Sequence, residues 1–278
     1  RLVIVPDAYL HDVPFAALRP IQAGERAYLG LPNDRTGFQI VNAPSSSIFA
    51  HWVQRDSERT ATRRSAALFV DPLGDLSNGK PAVTQTFAAI RARLLERQFE
   101  VKRFDGKDAT PNAWLNEARE CDLVVYFGHS IAGPEHAEQA ALRLNDGSGR
   151  EAPVTADGIY RAATQRLFSG HSVFLFASCS SGFVSAGTWD SDRELRGLSA
   201  AHLYAGCGAV IAASRPLLDL PTLVLLDAIL AKMLSGVDAA SSLSKAQSKL
   251  AASQSPYSHP HFWGYVVFMG SLDLRFAA

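Results

Sequence analysis

The sequence predicts an α/β fold: a mostly parallel six-stranded sheet with helices on both faces, preceded by a small β-containing N-terminal part. Three observations predict it. From residue 66 onward, apolar runs rich in β-branched and aromatic residues alternate six times with helical patterns. Strands linked through helices come out parallel and covered on both sides. Before residue 60 the runs are shorter and surround a loop containing Gly, Asn and Asp. At 47% hydrophobic and 19% charged, a chain of 278 residues buries a proper core.

Taken in order, "LVIV" (2–5) reads as a strand, and "PFAALRP" (14–20) and "FQIVNAPS" (38–45) as short strands. "SSIFAHWVQR" (46–55) is helical, with Ser45 or Ser46 as N-cap, and "RDSERTATRR" (55–64) is a solvated linker. "AALFVDP" (66–72) is a buried strand. "AVTQTFAAIRARLLERQ" (82–98) is an amphipathic helix with Phe87, Ile90, Leu94 and Leu95 on one face. "FEVKRF" (99–104) is a strand, "TPNAWLNEARE" (110–120) a helix, and "DLVVYFGHS" (122–130) a strand entering a loop. Residues 131–155 read as loop with a short strand at "ALRL", and 156–165 as a helix. "SVFLFAS" (172–178) is a strand, 192–206 a helix and "AVIAAS" (209–214) a strand. Helices follow at 220–236 and 237–254, and "FWGYVVFMGS" (262–271) holds the last strand.

Bulk properties exclude several function classes. Lys+Arg and Asp+Glu both number 27, so nothing suggests a polyanion-binding surface. No apolar run reaches the roughly 18 residues that span a bilayer. The chain opens on "RLVIVP", without a secretory signal or initiator Met. That start suits a piece of a longer protein or a processed chain. Three cysteines and no CxxC pair argue against a disulfide scaffold or structural zinc, and for a reducing, cytoplasmic setting. His259 and His261 stand without a further ligand cluster, so no metal is expected. Neither G-x-G-x-x-G nor G-x-x-x-x-G-K-[ST] follows the first strands, which disfavours a nucleotide enzyme.

Two strand ends carry chemistry. One closes on Gly128-His129-Ser130, the other on Ser178-Cys179-Ser180, and the His and Cys lie 50 positions apart. One helix separates the two strands, so they can sit side by side, about 4.8 Å apart. A His and a Cys on one edge of neighbouring strands form a base and nucleophile pair, because imidazole takes the thiol proton. The backbone of Gly128, Ser130 and Cys179 is placed to offer N–H groups to an oxyanion. Ser180, Ser181 and Gly182 leave room for a substrate, and Gly182 permits unusual backbone angles. Cys121 and Cys207 read as small buried hydrophobes, and His171 and His202 as ordinary structural histidines.

These residues resemble a family. The order strand, helix, strand, helix, strand-His, helix, strand-Cys is similar to the caspase-like (clan CD) cysteine peptidases, whose histidine lies about 50 residues before the cysteine. The whole of 1–278 resembles the CHAT domain, with 1–60 as its β-containing opening and 66–278 as its caspase-like core. The motifs are "LVIVPDAYLHDVPFAALRP", "YFGHS", "LFASCSSG", "ELRGLSAAHLYAGCGAVIAASRP" and "HPHFWGYVVFMG". It departs at Ser130, where the family usually has Gly, at Ser180-Ser181-Gly182 in place of Glu-Thr-Gly, and at Arg215-Pro216 in place of Trp-Pro.

The resemblance implies a cysteine endopeptidase with Cys179 as nucleophile and His129 as base, needing no metal or organic cofactor. It implies a protein substrate and control by a sensor or repeat region of the same or another chain, in bacterial defence or regulated cell death. No direct nucleic-acid or membrane partner is implied. Asp7, Ser178, Asp219 and Arg215 are candidate substrate-pocket residues; Asp190, Asp192 and Glu194 also lie near strand ends, with Asp192 a helix N-cap. The competing reading is a catalytically silent scaffold for protein interaction, against which the intact His129 and Cys179 argue. Residues 130–155 and 180–192 are expected to be mobile site loops.

Overall fold

The computed structural model describes residues 1–6, 10, 13–19, 28–31, 38–43, 46, 49–50, 52, 63–76, 80–132, 139–163, 167–179, 181 and 197–276. Its strands are β1 (Leu2–Ile4), β2 (Ile40–Asn42), β3 (Ser65–Val70), β4 (Glu100–Asp105), β5 (Leu123–Phe127), β6 (Ser130–Ile131), β7 (Ala141–Asn145), β8 (Glu151–Thr155), β9 (Val173–Ala177), β10 (Ala209–Ala213) and β11 (Val266–Gly270). Its helices are α1 (Pro81–Glu96), α2 (Pro111–Glu117), α3 (Ala156–Ala162), α4 (Leu198–Tyr204), α5 (Asp219–Met233) and α6 (Ala239–Ala251).

The central sheet has six strands in the order β11-β10-β9-β5-β3-β4. All pairings are parallel except β10 with β11. The exception has a simple cause: two helices, α5 and α6, separate those strands, and a second helical pass returns the chain in the opposite sense.

Strand parity divides the core into two layers. Ala66, Leu68, Val70, Leu123, Val125, Phe127, Val173, Leu175 and Ala177 face α1, α5 and α6. Ala67, Phe69, Val124, Tyr126, Phe174 and Phe176 face α2, α3 and α4. The central strands are buried on both faces, which is why they read as continuous apolar runs. Three helix starts carry side-chain caps: Thr110 accepts from the N–H of Ala113 at 3.1 Å, Thr155 from that of Gly158 at 3.0 Å, and Asp238 from that of Ser241 at 2.8 Å.

Several expectations shift. Residues 130–155 are not loop throughout: β6, β7 and β8 form an antiparallel three-stranded sheet. Phe15–Ala17 is a single 3-10 turn rather than a strand, started by Pro14, whose ring fixes φ at −77°. β1 and β2 pair in parallel as a separate two-stranded sheet. On α1, Phe87, Ile90 and Leu94 are buried with Val83, but Leu95 is turned to solvent, one 100° step around the helix from Leu94. Phe49, Ala50 and Trp52 are helical as expected, while Ser45 and 53–62 lie outside the described residues. So do Asp7, Ser180, Gly182, Asp190, Asp192 and Glu194. No helix among the described residues is long and apolar enough to cross a membrane.

His202 sits inside an aromatic cage. Its ring stacks on Phe168 (5.2 Å between centroids) and meets Trp114, Phe174 and Phe176. Nδ1 donates to the Leu198 carbonyl at 2.7 Å, and Nε2 has no hydrogen-bond partner among the described residues. Burial lowers its pKa to about 4. The unfolded chain, with a value near 6.5, binds the proton first, so His202 contributes stability above pH 6.5 that is lost as pH falls toward 4. Asp122 pulls the other way: burial raises its carboxyl to about 6, so its unfavourable contribution disappears on acidification over the same range. The two largely offset each other in the native protein. His202→Phe removes one of them. Urea unfolding at pH 7 and pH 4.5 should therefore show the variant gaining about 2 kcal/mol on the native protein at the lower pH. An unchanged gap would refute the buried, neutral histidine.

Candidate active site

Register places the two chemical residues together. β5 and β9 are neighbours, and their pairing runs from Leu123↔Val173 to Phe127↔Ala177, an offset of 50 throughout. The ladder ends at that pair, and His129 and Cys179, also 50 apart, each follow it by two residues. Both line one solvent-open cleft, with Leu76, Phe127, Gly128, Ala177, Ser178, Leu217, Asp219 and Thr222. The Cys179 thiol donates to the Leu217 carbonyl at 3.6 Å.

His129 has a carboxylate partner that sequence reasoning missed. Its Nε2 lies 3.2 Å from Asp75 Oδ1. Asp75 belongs to the turn after β3, the strand on the other side of β5. Asp71 opens that turn in the left-handed region (φ 47°), and Gly74 (φ 74°) re-enters it. The Asp71 carboxylate accepts the Leu76 N–H at 3.1 Å, and its own N–H donates to Phe127 O at 2.7 Å. The buried amide of Asn145 donates to Pro72 O at 3.1 Å. The only trace in the sequence is "DPLGD", a polar turn after a buried strand.

The backbone of His129 is held as firmly. Its carbonyl accepts from Arg143 N–H at 3.0 Å and faces the Tyr126 hydroxyl at 2.6 Å. Ser130 Oγ donates to the carbonyl of Cys179, joining the two strand ends directly. Arg143 pairs with Glu151 at 2.5 Å; that guanidinium holds the Glu151 carboxyl below its ordinary range, helped by nearby His129.

Of the expected pocket residues, Ser178 and Asp219 line the cleft. Asp219 accepts from Lys80 at 2.7 Å, which raises the lysine above its ordinary range. Arg215 is exposed, over the Tyr265 ring at 5.8 Å, and does not line the cleft. Ser181 does not leave space for a ligand as expected. It is fully buried, with its hydroxyl on Ser178 O (3.2 Å) and Ala213 N–H (3.4 Å). His259 Nδ1 accepts the His261 N–H at 3.2 Å, a turn cap; no cluster of three potential metal ligands occurs among the described residues.

The CHAT domain family model matches residues 1–271. This chain belongs to the CHAT domain family. Its fold is similar to that of parts of separase and gingipain. The Saccharomyces cerevisiae separase–securin complex superposes with a TM-score of 0.58 at 15% identity, covering 84% of this chain and 14% of the separase chain. The Arg-specific cysteine proteinase gingipain R gives 0.57 at 13%, covering 99% and 63%. The complex of pro- and mature domains of the Porphyromonas gingivalis enzyme gives 0.58 at 12%, covering 99% and 64%. No curated protein sequence matches.

In this CHAT domain, Gly128 is fixed by crowding. A Cβ there would lie 2.6 Å from the Tyr126 hydroxyl and 2.9 Å from Pro72 Cδ. Gly128→Ala must displace the tyrosine, the Asp75 turn or His129. It should lower stability by about 1–3 kcal/mol in urea unfolding and slow alkylation of Cys179. A variant with native stability and native thiol reactivity would contradict the crowding.

Proposed function

We propose that this CHAT domain is a cysteine endopeptidase that cuts a partner protein through a covalent acyl-enzyme. Family membership and the peptidase-like fold support the reaction class. The observation that carries the residue assignment is the in-register pairing of β5 and β9, which brings His129 and Cys179 to one cleft.

The hydrogen bond to Asp75 directs the proton of neutral His129 to Nε2 and leaves Nδ1 as the base. The Cys179 thiol proton passes to Nδ1 as Sγ bonds the scissile carbonyl carbon. The oxyanion is met by the N–H groups of Cys179 and Ser130. Ser130 pairs with Leu142, while Arg143 N–H bonds His129 O. This makes Ser130–Leu142 a non-hydrogen-bonded pair, with the Ser130 N–H directed away from β7. The Gly128 backbone is assigned the lesser part of shaping that turn. The C–N bond then breaks as His129 returns the proton to the leaving amine. Water attacks the thioester carbon as His129 accepts its proton; the C–Sγ bond breaks, the acid product leaves, and His129 returns the proton to the Cys179 sulfur.

Asp219 is assigned to the residue before the cut, with Ser178 beside it; Arg215, which does not line the cleft, is assigned no part. Since Lys80 already neutralises Asp219, a basic substrate side chain must compete with that lysine. We further assign latency under an attached sensor or repeat region, as suits a defence or cell-death response.

Labelling with a library of thiol-reactive peptidyl probes tests the assignment. Cys179→Ala should abolish labelling and His129→Ala should slow it about 10²- to 10⁴-fold. Asp75→Ala should cost about tenfold, well short of the roughly 10⁴-fold that a buried triad carboxylate commands, because the Asp75 side chain is 55% exposed. Labelling that persists in Cys179→Ala, or is indifferent to His129 in the protein with its regulatory region attached, sinks the reading. Lys80→Ala should raise the preference for Arg or Lys probes over Leu probes. An unchanged ratio in both Lys80→Ala and Asp219→Asn would remove Asp219 from the pocket.

A further inference from the structure

We propose that the Ser130 side chain is a positioning residue that aims the Cys179 nucleophile; the proposal rests on the Cys–His reading above. The hydrogen-bonded register of β5 and β9 ends at Phe127↔Ala177, two residues short of the site. Beyond that pair the ladder stops, and the Ser130 hydroxyl links the two strand ends by donating its single proton to the Cys179 carbonyl. The peptide after Cys179 is planar. Fixing the direction of its carbonyl therefore fixes the ψ angle of Cys179 and the line along which its Cα–Cβ bond leaves the backbone.

Nothing else described holds the thiol so firmly. Its one hydrogen bond among the described residues, to Leu217 O at 3.6 Å, is weak because a thiol is a poor donor. Ser130 is itself well anchored: it pairs with Leu142 on β7, and the preceding His129 carbonyl is held by Arg143 N–H and faces the Tyr126 hydroxyl. Base and nucleophile are thus tied to one dipeptide, His129-Ser130, which is fastened to the small antiparallel sheet. A glycine at this position would lack the donor.

The test is the rate of Cys179 alkylation by iodoacetamide at pH 7, read by peptide mass spectrometry. Buried Cys121 and Cys207 serve as slow internal references. Ser130→Val and Ser130→Thr differ essentially by the hydroxyl. Ser130→Val should react about five- to tenfold more slowly than Ser130→Thr, with similar urea midpoints. Ser130→Ala should be slow as well, which keeps the test alive if the branched side chains are not accommodated. In a His129→Ala background, Ser130→Ala should add almost no further slowing, because alignment with an absent base has no effect. Equal slowing in both backgrounds would mark a general structural role and overturn the proposal, as would equal rates for the Val and Thr variants. If His129→Ala alone leaves alkylation unchanged, the Cys–His reading fails first and takes the positioning role with it.

Discussion

The parallel register between β5 and β9 is the constraint on which the site depends. Side chains alternate across a sheet, so a slip of one residue would send Cys179 to the face opposite His129. A slip of two would keep the face but separate the pair by nearly 7 Å along the strand. Burial on both faces resists either error. Phe127 packs on Phe87 of α1, while Tyr126, Phe174 and Phe176 pack around Trp114 on the other side. A shifted β5 would also have to put a larger residue in the place of Gly128, where a Cβ already lies 2.9 Å from Pro72 Cδ.

Because β5 and β9 end short of the chemistry, the last two residues of each arm are oriented from outside the sheet. Asp71 and Asn145, both buried, close the turn bearing Asp75. Tyr126 holds the backbone of His129, and Ser130 that of Cys179. Buried polar groups of this kind are costly if left unpaired. In this case each is paired with main chain close to the reacting residues, so the groups most expensive to disturb are those that define the cleft.

How much of this was legible in the sequence varies with how local the signal is. The strands "LVVYF" and "VFLFA" and the residues at their ends were readable, because apolar runs and His129–Cys179 spacing need no knowledge of sheet order. Asp75 was not, since "DPLGD" is an ordinary turn until β3 is known to flank β5 on the side away from β9. The sheet at 130–155 escaped because its strands are short, and β8 carries Pro153 and little buried surface. Ser181 was misjudged for a different reason. Small residues after a nucleophile suggest open space, but a serine can equally fill a tight corner with its hydroxyl bonded, as this one does.

Asp75 shows how geometry and energy divide the labour. The contact with His129 is half in water, and even exposed charged pairs contribute only about 0–1 kcal/mol after screening and side-chain entropy. That is too little to hold an imidazole in place against solvent. The carboxylate can still choose which ring nitrogen carries the proton, since only a small free-energy difference separates the tautomers. Position must come from elsewhere: from the Gly128 turn, the bonds to the His129 carbonyl, and the parity of β5. It follows that the backbone around His129 governs where the imidazole stands, and Asp75 can bias only which ring nitrogen carries the proton.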